Sequence, residues 1–393
     1  MIRSLQRELN SFYQQVLGTD FSIQHVSKSA LTHSRKKLKP EAFKELNKIG
    51  CDSFYKNAPY KMWLGYRLLS VDGTKAVLPN HPSIKSEFGV INYGPNVDSP
   101  RSLANVSMLY DVLNLLTLDV ELGNYETSEK ELLQKHLNRV ESGKDLLLLD
   151  RGYPSLGLMF ELQARGIDFC IRMQESWWLE ARKMIANEEI DKLVTFKLPR
   201  KDRQLLTQYS KSNDEIKCRL IMVELENGNK EVLCTSVTDH DKLPYECFLS
   251  LYHQRWNIEE GYKLYKCRVN IEAFSGKTAK AVKQDIFAKA FMMTTMAVLA
   301  FPIEEKIKQE QEHARLHQGG KKPRKRFYKI NRTNALAMVR EISTKLFIDK
   351  MTNQALYAFD KIMEATTEII RPNRKFERKK LKKKPPSMNY KPL

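Results

Sequence analysis

The chain has 393 residues and a mass of 45.8 kDa, which is enough to bury a sizeable core and to form two or three domains. Its contents of 42% apolar and 29% charged residues are ordinary for a soluble globular protein. The formal net charge of +19 is not ordinary, and the segments 317–330 and 371–393 together carry +15 of it. Such segments favour a nucleic acid as the partner, although a pair of solvated tails would have the same composition.

The cysteines and the apolar segments exclude a zinc finger, an export signal and a membrane span. The six cysteines are scattered without a C-x-x-C pair, as in a cytosolic protein with reduced thiols. The first residues have a polar helical pattern rather than that of an apolar export signal. The most apolar stretch, 286–301, is shorter than a membrane span and contains Lys289, so we expect a core helix. The pattern therefore predicts a soluble, cytoplasmic protein without a membrane partner.

Residues 1–66 have a helical and polar pattern. The segment 27–38 begins with a capping serine and has a basic end that contains Arg35, Lys36 and Lys37. A second short helix is predicted directly after it. Two such helices fit a helix-turn-helix that binds DNA, and they fit a solvated helix pair almost equally closely. We expect these three basic residues to contact DNA.

From residue 67 the pattern changes to strands. The segments 67–72 and 75–78 are predicted to form a hairpin that bends at Asp72-Gly73. The next predicted elements are strands at 105–112 and 115–122, a helix at 127–140, a strand at 145–149, a helix at 156–165 and a strand at 168–173. Hairpin-linked strands followed by alternating helices and strands predict a mixed α/β core.

Residues 174–246 interrupt this alternation with three β segments, which predict an insertion of mostly antiparallel sheet. Helices are then expected over 247–269, 277–300 and about 331–370. The predicted regions are 1–66 (helical, DNA-end binding), 67–173 (first part of the core), 174–246 (β insertion), 247–300 (second part of the core) and 301–393 (helical, with a basic loop and a basic tail).

A single helix over 252–266 would place four polar side chains in a stripe about 60° wide at about 100° per residue, and a fifth, that of Lys263, joins this face. The face consists of a phenol, a carboxylate and three cations: Tyr252, Glu259, Arg255, Lys263 and Lys266. One carboxylate needs one cation for charge balance, whereas a metal site that also binds phosphates needs several. The helix therefore has the composition of a catalytic element.

Two aspartates at strand ends complete a candidate metal site. Taken singly, each acid has an ordinary structural explanation. Asp72 fits a turn residue, Asp150 fits a capping residue and Glu259 fits an acid on a helix surface. If the two strands are neighbours and the helix crosses their edge, the three carboxylates converge, and they cannot all stay ionised without cations. Oxygen ligands with room for water suit Mg²⁺. Asp72 would bridge two ions about 3.5–4 Å apart, with Asp150 on one and Glu259 on the other.

Three segments resemble the motifs of DDE transposases of bacterial insertion sequences. They are Val-Asp-Gly-Thr at 71–74, Leu-Asp-Arg-Gly-Tyr at 149–153, and Tyr252-x2-Arg255-x3-Glu259-x6-Lys266. The third is similar to the Tyr-Arg-Glu-Lys signature of insertion-sequence family four. The likeness extends to 109–114 and covers about residues 25–300.

This resemblance implies an RNase H-like core interrupted by a β insertion, and a bacterial enzyme of cut-and-paste transposition. The family binds the terminal inverted repeats of double-stranded DNA and pairs the two ends in a dimeric complex. It cleaves the ends with two Mg²⁺ ions, which Mn²⁺ can replace, and joins the freed 3′ hydroxyls to target DNA. The resemblance implies catalytic metal ligands at Asp72, Asp150 and Glu259. The implied DNA contacts are Tyr252, Arg255, Lys263, Lys266 and Arg151.

One departure from the family concerns base stacking. Relatives that free the element through a hairpin stack a flipped base on a tryptophan in the strand before the glutamate helix, and the segment 231–235 has none. Trp177 and Trp178 could stack a base or pack in the core.

The three acids and the basic residues around them also fit two other functions. One is a metal-dependent DNA nuclease on the same core, and the other is a transposase-derived DNA-binding protein without catalysis.

Overall fold

A computed structural model describes residues 4–91, 101–225, 228–316, 327–348 and 352–370. The predicted basic tail at 371–393 lies outside the described residues, and so does most of the basic loop in 317–330. The chain divides into two compact units. The helical unit comprises Met1–Lys56, Ala76–Ala104 and Lys263–Leu393, and the sheet unit comprises Asn57–Lys75 and Asn105–Tyr262.

The elements of the described residues follow the predicted order in the core, whereas the single helix predicted over about 331–370 is wrong, because two helices and a short strand occupy that region. The α-helices are α1 (Leu5–Leu17), α2 (Lys28–Lys37), α3 (Glu41–Asn57), α4 (Pro82–Phe88), α5 (Glu129–His136), α6 (Leu156–Ala164), α7 (Leu179–Ala186), α8 (Gln204–Gln208), α9 (Cys247–Gln254), α10 (Asn257–Lys263), α11 (Ala279–Leu316), α12 (Arg332–Phe347) and α13 (Thr352–Ala365). The strands are β1 (Arg67–Val77), β2 (Leu103–Asp111), β3 (Leu116–Gly123), β4 (Asp145–Leu149), β5 (Asp168–Met173), β6 (Asp191–Lys197), β7 (Glu215–Glu224), β8 (Lys230–Thr235), β9 (Tyr328–Ile330) and β10 (Thr367–Ile369).

The helical unit is organised around α11, which is 38 residues long and continues through Pro302. The predicted end at residue 300 is therefore wrong, and so is the expectation that its apolar part is too short for a membrane span. By length and composition alone, Ala279–Arg315 could cross a membrane, but 56% of its apolar window is buried inside the protein. Phe54 of α3 packs edge-on against Phe301, with ring centroids 5.0 Å apart. This burial is that of a core helix.

The sheet of eight strands has the order β3-β2-β1-β4-β5-β8-β7-β6. β1, β4 and β5 are parallel neighbours, whereas β2 with β3 and the run β5-β8-β7-β6 pair antiparallel. All five residues of the central strand β4 are buried, as expected for an apolar strand covered on both faces. This arrangement confirms the mixed α/β class: β1–β5 form a mixed part of the sheet, and β6–β8 extend it as an antiparallel run.

The predicted hairpin at Asp72-Gly73 is wrong, because β1 continues through both residues. An Asp-Gly pair makes a hairpin only where the two flanking segments pair with each other. Here the first segment pairs with β4, in a register that runs from Arg67 opposite Asp145 to Ser70 opposite Leu148. A partner from another part of the chain therefore overrides the local turn signal.

Candidate active site

Asp72 and Asp150 lie level with each other at one edge of the sheet. β1 and β4 are parallel, and Ser70 is paired with Leu148, so each aspartate follows two residues after the last pair. Each carboxylate accepts a hydrogen bond from the next backbone N–H, at 2.8 Å from Gly73 to Asp72 and at 2.7 Å from Arg151 to Asp150. The condition that the two strands be neighbours is thus met.

The environment of Asp72 opposes its ionisation. Burial is the largest cause and raises the pKa of Asp72 to about 6, and the negative charges of Glu129 and Asp150 act in the same direction. The N–H of Gly73 and the charge of Arg255 lower the pKa but only in part offset these effects. A bound cation would relieve this repulsion, so the pair of aspartates has the donor chemistry of a metal site.

The predicted single helix over 252–266 is wrong, because the segment consists of α9, a turn, α10 and then a π-helix over Leu264–Arg268. Across the turn the backbone bonds tighten to a spacing of three residues, as from Glu259 N–H to the Trp256 carbonyl at 3.0 Å. The side chain of Asn257 donates to the Val112 carbonyl at 3.2 Å and to Gln254. Packing on the end of β2 therefore interrupts the regular helix.

The helix that carries Glu259 is nevertheless tied to Asp72. The hydroxyl of Tyr262, one turn after Glu259, donates to the backbone carbonyl of Asp72 at 2.6 Å and to that of Val106 at 3.3 Å. Gly261 permits this approach, because a Cβ there would lie 3.1 Å from the ring of Tyr110. These contacts bring α10 to the sheet edge at which the aspartates lie.

Glu259, Arg255 and Tyr252 form a connected group. The Arg255 guanidinium lies 3.7 Å from the Glu259 carboxylate, and its Cζ lies 5.5 Å from the centre of the Tyr252 ring. The Tyr252 hydroxyl donates to Asp150 at 3.5 Å. Arg255 is only 7% exposed, and its Nε has no hydrogen-bond partner in the described part of the chain. Three residues of the predicted Tyr-Arg-Glu-Lys face thus form one group, and Tyr252 connects this group to Asp150.

The three acids do not form a closed metal site in this arrangement. Among the described residues, no group of three His, Cys, Asp or Glu side chains is placed so that it could hold a metal ion. The Glu259 carboxylate lies beside Arg255 instead, and 42% of its side chain is exposed. The carboxylate oxygens of the three acids are ligands of the kind that Mg²⁺ binds. Glu259 would have to turn its side chain away from Arg255 to join the two aspartates at a metal ion.

Comparison with known proteins identifies the family. Residues 63–295 match the sequence family described as Transposase DDE domain, a segment that contains Asp72, Asp150 and Glu259. The chain belongs to the DDE transposase family. It is also 28% identical, over 247 residues, to the transposase InsG for insertion sequence element IS4 of Escherichia coli (strain K12). This similarity confirms the resemblance to insertion-sequence family four.

The matched regions cover only parts of the known DDE transposases. The alignment with InsG covers 61% of this chain and 53% of InsG. The structure is also similar to that of the piggyBac transposase in its synaptic complex with hairpin DNA, with a TM-score of 0.41 and 10% identity. That match covers 79% of this chain and 55% of the other. The chain thus spans about half the length of these relatives.

The other predicted DNA contacts of this DDE transposase chain differ in exposure. Lys263, Lys266 and Arg151 are exposed, as are Lys36 and Lys37 at the end of α2. Arg35 is held instead by an ion pair with Asp285 at 2.9 Å, a hydrogen bond to Gln284 at 3.0 Å and a further one to Ser275. Contact of these residues with DNA stays a prediction, and for Arg35 it requires that this network open.

The tryptophans of the DDE transposase chain separate into packed and exposed ones. Trp178 packs edge-on against Phe196 at 5.7 Å, whereas Trp177 is 83% exposed. Sequence analysis missed Trp256, which is 55% exposed three residues before Glu259 and contacts the ring of His253. The sequence could have indicated Trp256, because it lies between Arg255 and Glu259, two residues of the predicted polar face.

Proposed function

We propose that this protein is a DNA transposase of a bacterial insertion sequence, with Asp72, Asp150 and Glu259 as its catalytic acids. It binds the terminal inverted repeats, cleaves the ends and joins the 3′ hydroxyls to target DNA by cut-and-paste. The observation that carries this proposal is the register of β1 and β4, which brings two aspartates level at one sheet edge, beside the helix of Glu259. Family membership supports the same reaction class.

Two Mg²⁺ ions, or Mn²⁺ in their place, would supply activation of the attacking hydroxyl and stabilisation of the leaving oxygen. Asp72 and Asp150 have the donor atoms to hold the ions. Glu259 would join them when its exposed side chain leaves Arg255. The guanidinium of Arg255, whose Nε has no hydrogen-bond partner among the described residues, could then bind a phosphate oxygen.

The exposed cations would bind the DNA backbone. Lys263 and Lys266 follow Glu259 along the chain, Arg151 follows Asp150, and Lys36 and Lys37 belong to the N-terminal helices. Phosphate contacts of this kind position DNA without reading its sequence. We expect two copies of the protein to pair the two element ends in the cytoplasm of a bacterial cell, as a homodimer on DNA.

A charge-neutral variant of the third acid tests the proposal. Glu259→Gln should abolish Mg²⁺-dependent cleavage of a DNA fragment that carries an element end, and should leave binding in a gel-shift assay nearly unchanged. Glu260→Gln is the matched control, since it removes the same charge from the next residue, and it should cleave as the wild type does. Cleavage by Glu259→Gln at the wild-type rate would reject the catalytic assignment.

Two alternatives use the same fold. A metal-dependent nuclease would nick DNA without joining it, so incubation of the protein with a linear end fragment and a plasmid separates the two, because only a transposase forms joined products. A transposase-derived DNA-binding protein without catalysis is favoured by one observation, the absence of an assembled three-residue metal group among the described residues. Mg²⁺-dependent turnover of end-bearing DNA would exclude it.

A further inference from the structure

A group of three buried polar side chains in the sheet unit leads to Asp72. The polar triad consists of Ser107, Asp119 and His136. The imidazole of His136 contacts the Asp119 carboxylate through Nδ1 at 2.8 Å and the Ser107 hydroxyl through Nε2 at 3.0 Å. The Ser107 hydroxyl in turn donates to the backbone carbonyl of Asp72 at 3.5 Å. His136 and Ser107 are 0% exposed and Asp119 is 8% exposed. Hydrogen bonds thus connect the interior of the sheet unit to a proposed catalytic acid.

The members of the polar triad come from three different elements. Ser107 lies on β2, Asp119 lies on β3, and His136 is the last residue of α5. In the sheet order β2 lies between β3 and β1, and α5 packs against β3. A side chain on β2 can therefore contact both the triad and the strand that carries Asp72.

The number of available protons fixes the direction of these hydrogen bonds. Ser107 has a single hydroxyl proton, so it donates to Asp72 only if Nε2 of His136 donates to the Ser107 oxygen. Nδ1 faces a carboxylate, which only accepts when it is ionised, so this nitrogen also carries a proton. All the bonds of the polar triad therefore form together when the ring of His136 is doubly protonated and the charge of Asp119 balances it.

The last bond of the polar triad acts on the peptide group between Asp72 and Gly73. The carbonyl oxygen of this group accepts from Ser107 and also from the Tyr262 hydroxyl, at 2.6 Å. Its N–H, which belongs to Gly73, donates to the Asp72 carboxylate at 2.8 Å. Because a peptide group is planar, donors that fix the direction of the carbonyl also fix the direction of the N–H. The orientation of the Asp72 carboxylate is therefore coupled to Ser107.

Stability alone does not account for the polar triad. It buries an ion pair, and replacement of buried ion pairs by apolar residues of similar volume is often neutral or stabilising. A polar network in which every member has a partner instead fixes one arrangement of its side chains. Each side chain of the triad has such a partner, at 2.8–3.5 Å. The triad therefore fixes a direction, which ends at the carbonyl of Asp72.

We propose that Asp119, His136 and Ser107 are positioning residues for Asp72, which they hold through the peptide group that it shares with Gly73. This inference rests on the proposed function, because it takes Asp72 as a catalytic acid. The doubly protonated ring directs the hydroxyl proton of Ser107 at the carbonyl. The Gly73 N–H then holds the carboxylate in one orientation at the sheet edge.

Two variants interrupt the polar triad in different ways. Ser107→Ala removes the hydroxyl. Asp119→Asn keeps the size of the side chain but removes the charge that balances the doubly protonated ring, so Nε2 loses its proton and becomes the acceptor of the Ser107 hydroxyl. Circular dichroism verifies that each variant is folded, and Asp119→Asn carries the test should Ser107→Ala not fold.

Thr235→Val is the matched control. The Thr235 hydroxyl is buried and donates to a backbone carbonyl of the neighbouring strand, that of Phe169, at 2.7 Å. In the sheet order β4 and β5 separate its strand, β8, from β1. The control therefore removes the same kind of hydrogen bond at a place remote from Asp72.

Hydrogen exchange of the metal-free protein without DNA, followed by mass spectrometry, measures the proposed contact directly. A peptide that contains Asp72 and Gly73 should exchange about 2–10-fold faster in both variants, because one hydrogen bond contributes a factor of about this size. Peptides from β5 and β8 should exchange as in the wild type, and Thr235→Val should leave the Asp72 peptide unchanged. Unchanged exchange of the Asp72 peptide in a folded variant overturns the inference. An equal rise throughout the sheet unit also overturns it, since the triad would then only stabilise the fold.

Single-turnover cleavage of end-bearing DNA tests whether this orientation serves the reaction. Both variants should cleave about 10–100-fold more slowly, the usual cost of losing a residue that orients a metal-binding side chain. Both should bind the DNA end in a gel-shift assay as the wild type does, and Thr235→Val should cleave at the wild-type rate. A faster exchange of the Asp72 peptide with an unchanged cleavage rate overturns this inference alone. Absence of cleavage by the wild type overturns the proposed function, and the exchange data still decide whether the triad holds the peptide group.

Discussion

Replacement of Asp72 by asparagine should stabilise the metal-free protein while abolishing DNA cleavage. The ionised carboxylate is disfavoured by burial and by the charges of Glu129 and Asp150, which together raise the pKa of Asp72 from 3.8 to about 6. Asparagine removes the charge but keeps an oxygen that can accept the hydrogen bond from Gly73, now 2.8 Å long. The variant therefore removes the unfavourable electrostatics and leaves the local backbone contact in place.

The magnitude of this stabilisation follows from linkage between protonation and folding. A pKa raised from 3.8 to about 6 corresponds to about 3 kcal/mol of unfavourable free energy for the ionised folded form. Relaxation of the site reduces this value, so we expect about 1–2 kcal/mol. Ionisation of Asp72 destabilises the folded protein, because the pKa of this carboxyl is higher in the folded state than in the unfolded state. The penalty of the wild type is absent below pH 3.8, grows as pH rises, and is complete above pH 6.

Urea unfolding with excess EDTA at pH 4 and at pH 8 measures the difference. Asp72→Asn should be more stable than the wild type at pH 8 and nearly equal to it at pH 4. Addition of Mg²⁺ at pH 8 should stabilise the wild type by mass action and leave the variant unchanged. The control is Asp239→Asn, an exposed turn acid whose pKa is lowered by hydrogen bonds from the N–H groups of Lys242 and Asp241, so its loss should destabilise the protein.

The reasoning is refuted if Asp72→Asn is no more stable than the wild type at pH 8 in the absence of metal. That result would mean that the carboxylate is well compensated in the folded protein and is not held for a cation. Equal stabilisation of wild type and variant by Mg²⁺ would refute the metal assignment alone. The two outcomes are independent, because one is measured with EDTA and the other with metal.

Three further changes test the residues around Glu259. Arg255→Ala should slow single-turnover cleavage about a hundredfold, and Arg255→Lys should recover part of the rate; equal rates for both would contradict a phosphate contact. Trp256→Ala should weaken binding of end DNA by about 1–3 kcal/mol in a fluorescence titration, more than Trp177→Ala does, if a base stacks on this ring. Tyr262→Phe removes the 2.6 Å hydrogen bond to the Asp72 carbonyl, so the free energy of unfolding of the variant should be about 1 kcal/mol lower than that of the wild type. An unchanged free energy of unfolding would show that this bond does not stabilise the protein.

The sequence alone predicted those features that depend on local pattern. The apolar run before Asp150, bounded by turn residues, was predicted as a buried strand, and the three β segments of the insertion were predicted as strands; the structure has strands at all four places. The spacing of Tyr252, Arg255 and Glu259 indicated that these side chains lie together, and two of them do lie within 3.7 Å. Local pattern also placed Asp72 on a strand, although it wrongly predicted a turn there.

Only the tertiary structure decided which partners these elements have. β1 passes straight through Asp72-Gly73 because β4 pairs with its first half, and Asn257 interrupts the helix of Glu259 because the end of β2 lies beside it. Arg35 was predicted to contact DNA from its basic helix, yet an acid 250 positions later in the chain binds it.

Glu129 illustrates the same limit most clearly. In the sequence it is an ordinary acid in the first turn of a capped helix, and such acids are common because they suit the helix dipole. Its closeness to Asp72 and Asp150 depends on where α5 lies relative to the ends of β1 and β4. Local preferences determine an element from its own residues, whereas the distance between remote side chains is set by strand pairing and packing.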